Sequence, residues 1–170
     1  MYEDWKVERW ETPVSSAKSL AMVSLIDEGC LAIILQDLRD PSRRRFCFTF
    51  SNYPVYRNIL EEYRTELWER LNDKENTLGW TLTVRDSPWI AAFRQTEPLL
   101  EVENPHLIHY MICTEDDVVE VLSSAPPDIR EIEPGKQSES VGKSQVYHHP
   151  EDREQIEKIV KEVREKQTRE

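Results

Sequence analysis

Three apolar runs lie between residues 20 and 50, separated by two turn signals, and a stretch built this way favours an antiparallel meander. Leu20 to Ile26 is apolar on both faces. "DEG" at Asp27 to Gly29 follows as a hairpin turn, with Gly29 free to take a positive φ. Cys30 to Leu38 is the second strand, with Leu31, Ile33 and Leu35 on one face. "RDPSRRR" turns the chain again around Pro41. In "RFCFTFS", Phe46, Phe48 and Phe50 then alternate with Cys47 and Thr49.

The pattern changes after residue 50. Pro54 suits the first turn of a helix whose apolar stripe is Tyr56, Ile59, Leu60, Tyr63, Leu67 and Leu71, with Trp68 at its margin. Leu78, Trp80, Leu82 and Val84 alternate as a fourth strand. "DSP" starts a short helix, with Asp86 or Ser87 as cap, Pro88 in the first turn, and Trp89, Ile90 and Phe93 on the buried side. Pro98 and Pro105 bracket a loop, and "HLIHYMIC" is a fifth strand. Thr114 followed by Glu115, Asp116 and Asp117 resembles a capping box at a helix start. The predicted order is βββαβαβα. The class is α+β: a mainly antiparallel sheet of about five strands with helices packed on one face, plus a charged C-terminal helix.

Periodicity fades near residue 126. Residues 1–125 read as a single globular domain, and 126–150 as a flexible linker. Residues 151–170 read as a charged terminal helix with a narrow stripe of Ile156, Ile159, Val160 and Val163. That helix could rest on the domain or on a partner.

Charge narrows the function. The net charge of −11 argues against nucleic acid and anionic lipid as partners and is compatible with a basic protein. No apolar run approaches the roughly 20 residues of a membrane span. "MYEDWKVERW" has neither the basic start nor the apolar core of a signal peptide, so a cytoplasmic location is expected. The three cysteines, Cys30, Cys47 and Cys113, are an odd number in strand-like runs and read as buried thiols. Trp5 and Trp10 would clamp the N-terminal arm onto the domain, and the basic cluster Ser42 to Arg45 reads as a solvated turn.

The acids are unevenly placed. From Gln95 to Ile129 there is no Lys or Arg, and there are eight acids: Glu97, Glu101, Glu103, Glu115, Asp116, Asp117, Glu120 and Asp128. If their loops share one sheet edge, they form a negative docking face; the candidate contact residues are Glu97, Glu101, Glu103, Glu115, Asp116, Asp117 and Glu120. Catalytic candidates are few. Cys113 ends a strand before the expected helix start, where thiol pKa values fall, and His109 is the candidate base. His109 also reads as a hydrogen-bonded core residue beside Met111 and Cys113. His106 and His109 point to opposite strand faces, which makes them poor co-ligands, and His148 and His149 sit in the expected linker. No metal site is expected. Phosphate-cradling motifs are absent and the chain has only four glycines, so no cofactor is expected either.

The leading expectation is a noncatalytic acidic protein-binding module that docks a basic protein. In general character the chain resembles bacterial immunity proteins, which neutralise basic toxin domains; composition alone carries the likeness. The alternatives are a small thiol-dependent enzyme using Cys113, and a subunit of a larger assembly joined through the C-terminal helix.

Overall fold

The computed structural model describes residues 5–72, 78–133 and 150–169. The protein is α+β, with nine strands in two antiparallel sheets among the described residues. One sheet takes β1 (Lys6–Arg9), β5 (Val55–Leu60), β6 (Thr81–Arg85), β7 (Ile108–Cys113) and β8 (Asp117–Ser123) in the order β1-β6-β7-β8-β5. The other takes β2 (Leu20–Asp27), β3 (Leu31–Asp37), β4 (Arg45–Phe50) and β9 (Asp128–Ile132) in the order β2-β3-β4-β9. The meander expected over residues 20–50 is the body of the four-stranded sheet, and Gly29 turns β2 into β3 at φ +80°.

Three apolar layers hold the molecule together. Between the sheets lie Leu31, Ile33, Leu35, Phe48 and Phe50 from one side and Tyr110, Ile112, Val119 and Val121 from the other. Trp10 closes this core, edge-on to Phe48 and against Tyr110 at ring separations of 5.7 and 4.8 Å. Helix α1 (Thr65–Asn72) sets Leu67 and Leu71 on the outer face of the five-stranded sheet, beside Trp5, Met111 and Cys113. The C-terminal helix, α4 (Pro150–Gln167), sets Ile156, Ile159, Val160 and Val163 on the outer face of the other sheet, against Val23, Ile26, Ala32 and Ile34. The stripe read from the sequence is therefore spent within the protein. Helices cover both outer faces rather than one, because strands buried on both sides need cover on both.

Two segments expected as helices are partly or wholly strands. Residues 55–60 form β5 because β-branched and aromatic side chains there meet β8 as a partner, and tertiary pairing overrides a short helical stripe. The helix proper begins only at Thr65. Residues 117–123 form β8, between β7 and β5, with every residue buried. The expected loop after Pro98 holds a short helix, α3 (Pro98–Glu103), which follows α2 (Pro88–Thr96).

The expected linker contains β9, whose residues pair with β4 from Arg45↔Ile132 to Thr49↔Asp128. Arg130 on this strand also binds Glu162 of α4 at 2.5 Å. The boundary expected at residue 126 thus falls before the last strand of a sheet. The rest of that stretch, with His148 and His149, lies outside the described residues.

Candidate functional site

Glu120 stands in the middle of β8 and is fully buried. Its side chain points to the outer face of the five-stranded sheet, where the cross-strand register sets Arg57 of β5 directly opposite. Arg57 donates Nε to Oε2 at 2.7 Å and Nη2 to Oε1 at 3.0 Å. Arg64, just before α1, donates Nη2 to Oε1 at 3.0 Å. His109, diagonal to Glu120 on β7, lies with Nε2 at 3.1 Å from the same oxygen. The other ring nitrogen, Nδ1, is 2.8 Å from Ser87 Oγ. Ser87 also caps α2 by accepting the Ile90 N–H at 3.2 Å, as expected for the "DSP" signal.

The protonation pattern follows from these contacts. Burial alone would raise the Glu120 carboxyl, but hydrogen bonds from His109 and Arg57 and the charges of Arg57 and Arg64 outweigh it and hold the pKa at about 2. Burial lowers the His109 pKa, against the pull of Glu120. A neutral imidazole facing a carboxylate must carry its proton on Nε2. Nδ1 is then bare and accepts the Ser87 hydroxyl, whose oxygen still accepts from Ile90. Every contact has a donor and an acceptor.

The connectivity serine, histidine, carboxylate is that of an activated nucleophile, but the surroundings differ from one. Ser87 is buried, its oxygen is engaged as a helix cap, and the next residue, Pro88, has no N–H to offer an oxyanion. The arrangement fits a histidine held in one tautomer and orientation.

A cavity of about 270 Å³ opens on this cluster. Trp89 and Trp5 form part of its wall, and Arg57, Arg64, His109 and Glu120 supply its polar side. The Arg57 guanidinium lies 4.2 Å above the Trp89 ring, and Trp89 meets His109 edge-on at 5.3 Å.

The seven acids picked from the sequence are not one surface. Glu97, Glu101 and Glu103 are exposed, on or beside α3. Glu115 is exposed and Asp116 half-buried in the turn from β7 to β8. Asp117 is buried and accepts Asn58 Nδ2 at 3.1 Å, and Glu120 lies in the core. The α3 acids lead into the start of β7 while the turn acids follow its end. The six residues of β7 separate the two groups by about 17–20 Å at roughly 3.4 Å per residue.

Thr114 performs the bond expected of a cap, but in a hairpin. Its Oγ1 accepts the Asp117 N–H at 3.0 Å and donates to the Asp117 carbonyl. Cys113 is 2% exposed, and burial, reinforced by the charge of Glu120, pushes its thiol up to about 12. No helix N-terminus follows it to lower that value. Among the described residues no group of three His, Cys, Asp or Glu side chains could hold a metal ion.

Sequence reading missed Arg57, Arg64 and Trp89 as a set and assigned Ser87 only as a cap. One signal was present: Glu120 is the only charged residue from Val118 to Pro127 and sits between Val119 and Val121. An isolated acid in an apolar strand needs a buried partner. No protein family, curated protein or solved structure matches this chain.

Proposed function

We propose that the protein is a noncatalytic binding module that docks a basic protein through α3. The observation that carries this reading is the pair Leu99 and Val102, 72% and 77% exposed on a helix whose third apolar residue, Leu100, is buried. Three residues apart, they share one helix face. Glu97, Glu101 and Glu103 surround them, and Ile108 adds a further exposed apolar side chain at the start of β7. Apolar anchors within an acidic rim suit a partner with an apolar patch ringed by Lys or Arg. The net charge of −11 favours the same partner at long range.

The docking face is thus smaller than the run from Glu97 to Glu120. Asp117 and Glu120 are inside the protein, and Glu115 and Asp116 would form at most a second contact. The general character of an immunity protein remains the nearest analogy. No helix among the described residues is long and apolar enough to cross a membrane. Three free, buried thiols support a cytoplasmic location. The alternative of assembly through α4 loses its support, since that stripe is buried on β2, β3 and β4.

The test is affinity capture from the native cell lysate at low and high salt, with two variants alongside the wild type. Leu99→Ser/Val102→Ser removes the anchors, and Glu97→Lys/Glu101→Lys reverses the rim. A basic partner lost with both variants and weakened by salt is the expected result. A partner that both variants retain would sink the α3 reading.

A further inference from the structure

The cavity beside Glu120 has more donors than acceptors. Glu120 receives Arg57 Nε on one oxygen and Arg57 Nη2, Arg64 Nη2 and His109 Nε2 on the other. A carboxylate has about two lone-pair sites on each oxygen, so Oε1 is crowded by three donors and Oε2 has room for only one more. Each guanidinium carries five N–H donors in a fixed fork, and Glu120 takes only part of them. Arg64 Nε is buried without an acceptor among the described residues. The charge count agrees. Two arginines face one carboxylate, and the neutral His109 adds nothing. Glu66 also borders the cavity, but its carboxylate is taken by Arg70 at 3.3 Å. A single positive charge is left over at this point of a strongly acidic protein.

The remaining walls are largely apolar. Trp89 stacks under Arg57, Trp5 lies under Arg70, and Met111 and Ala92 also line the space. Arg57 and Arg64 both line the cavity, with side chains 37% and 19% exposed, although Arg64 Nε itself is buried. A volume of about 270 Å³ lies just below the usual range of small-molecule sites.

We propose that this cavity binds a small monocarboxylate with an apolar body, its head on the unpaired N–H groups of Arg57 and Arg64 and its body along the wall formed by Trp89, Ala92 and Met111. One surplus charge matches a monoanion better than a phosphate dianion. A guanidinium fork matches a carboxylate in plane. This site is separate from the α3 surface and does not depend on docking there.

The test uses the full chain, with benzoate as the probe. Tryptophan indole N–H signals are followed by NMR during titration with benzoate, its neutral isostere benzamide, and inorganic phosphate. Benzoate is expected to shift the Trp89 indole, assigned by its loss in Trp89→Phe, with a Kd of about 1 mM or tighter. Benzamide and phosphate should bind at least about tenfold more weakly. Arg57→Lys keeps the charge but loses the fork, and Arg64→Gln loses the charge; each should weaken benzoate by about tenfold or more. Benzamide or phosphate matching benzoate, or benzoate shifting no indole, would overturn the proposal. So would benzoate affinity unchanged in a folded variant. If neither variant folds, the three-probe comparison on the wild type decides alone.

Discussion

Arg57 lies directly across the β5–β8 ladder from Glu120, and its guanidinium grips both carboxylate oxygens at 2.7 and 3.0 Å. The pair is asymmetric, since Glu120 is sealed in the core while Arg57 reaches the surface. Removing the acid leaves two guanidiniums over a buried neutral group. Glu120→Gln is expected to cost about 3 kcal/mol in urea unfolding, the usual scale for breaking a buried ion pair. Arg57→Lys should cost less, about 1–2 kcal/mol, because the charge stays and the second bond goes. A loss below about 1 kcal/mol in Glu120→Gln would mean the sheet tolerates the cluster without relying on it.

Acid should destabilise the protein in two steps. His109 has a folded pKa below its ordinary value of 6.5, so the unfolded chain takes up the proton first. Its contribution is complete above 6.5 and declines as the pH falls below that value. Glu120, moved from 4.5 to about 2, contributes fully above 4.5 and loses that contribution as the pH approaches 2. Asp117, raised by burial, works in the opposite sense near its ordinary value of 3.8. Urea midpoints measured from pH 8 to 3 should therefore drop below 6.5 and again below 4.5. In His109→Gln the upper step should vanish; its persistence would assign that step to another group.

Helix α4 should behave as part of the fold. Ile156, 2% exposed, packs into the cluster under the four-stranded sheet. Ile156→Ala is expected to cost about 3 kcal/mol. Truncation before residue 150 strips the outer face of that sheet, exposing Val23, Ile26, Ala32 and Ile34. The shortened chain should bind a hydrophobic dye or aggregate. A stable, dye-silent truncation would make α4 a removable appendage.

The three thiols should be slow. Cys30, Cys47 and Cys113 are all buried, and burial pushes the last two to about 11 and about 12. A disulfide reagent near neutral pH should label them only as fast as the protein opens, and all three promptly in denaturant. Rapid labelling of Cys113 in the folded protein would restore it as a candidate nucleophile.

The meander was legible because its strands neighbour one another and their turns carry Gly or Pro. The C-terminal helix was legible because its stripe is unbroken. Residues 55–60 were not, since Tyr56, Ile59 and Leu60 satisfy a helical spacing and only the presence of β8, some sixty residues on, makes them a strand. "TEDD" misled for a local reason. A threonine hydroxyl bound to the N–H three residues later caps a helix and closes a hairpin equally well. The valines at 118, 119 and 121 decide between them. The acidic docking face failed in part for the same reason: once 117–123 is a central strand, Asp117 and Glu120 turn inward. The cluster around Glu120 draws on β5, the residue before α1, β7, β8 and the start of α2, and only Arg57 and Arg64 of its charged arms lie close in sequence.

The interleaving of the two sheets also sets an order of assembly. β2, β3 and β4 are consecutive, and each hairpin closes a short loop. In the five-stranded sheet β7 and β8 form a hairpin, but β5 and β1 join residues far apart: Arg57 meets Glu120 across 63 positions, and Arg85 meets Glu8 across 77. Loop-closure entropy favours the first over the second, and non-local pairing slows folding. Backbone amides of Ile33 and Ile34 should therefore gain protection from hydrogen exchange before those of β5 and β1. On that schedule Glu120 is neutralised late, and until Arg57 arrives the growing sheet carries an uncompensated charge on its outer face.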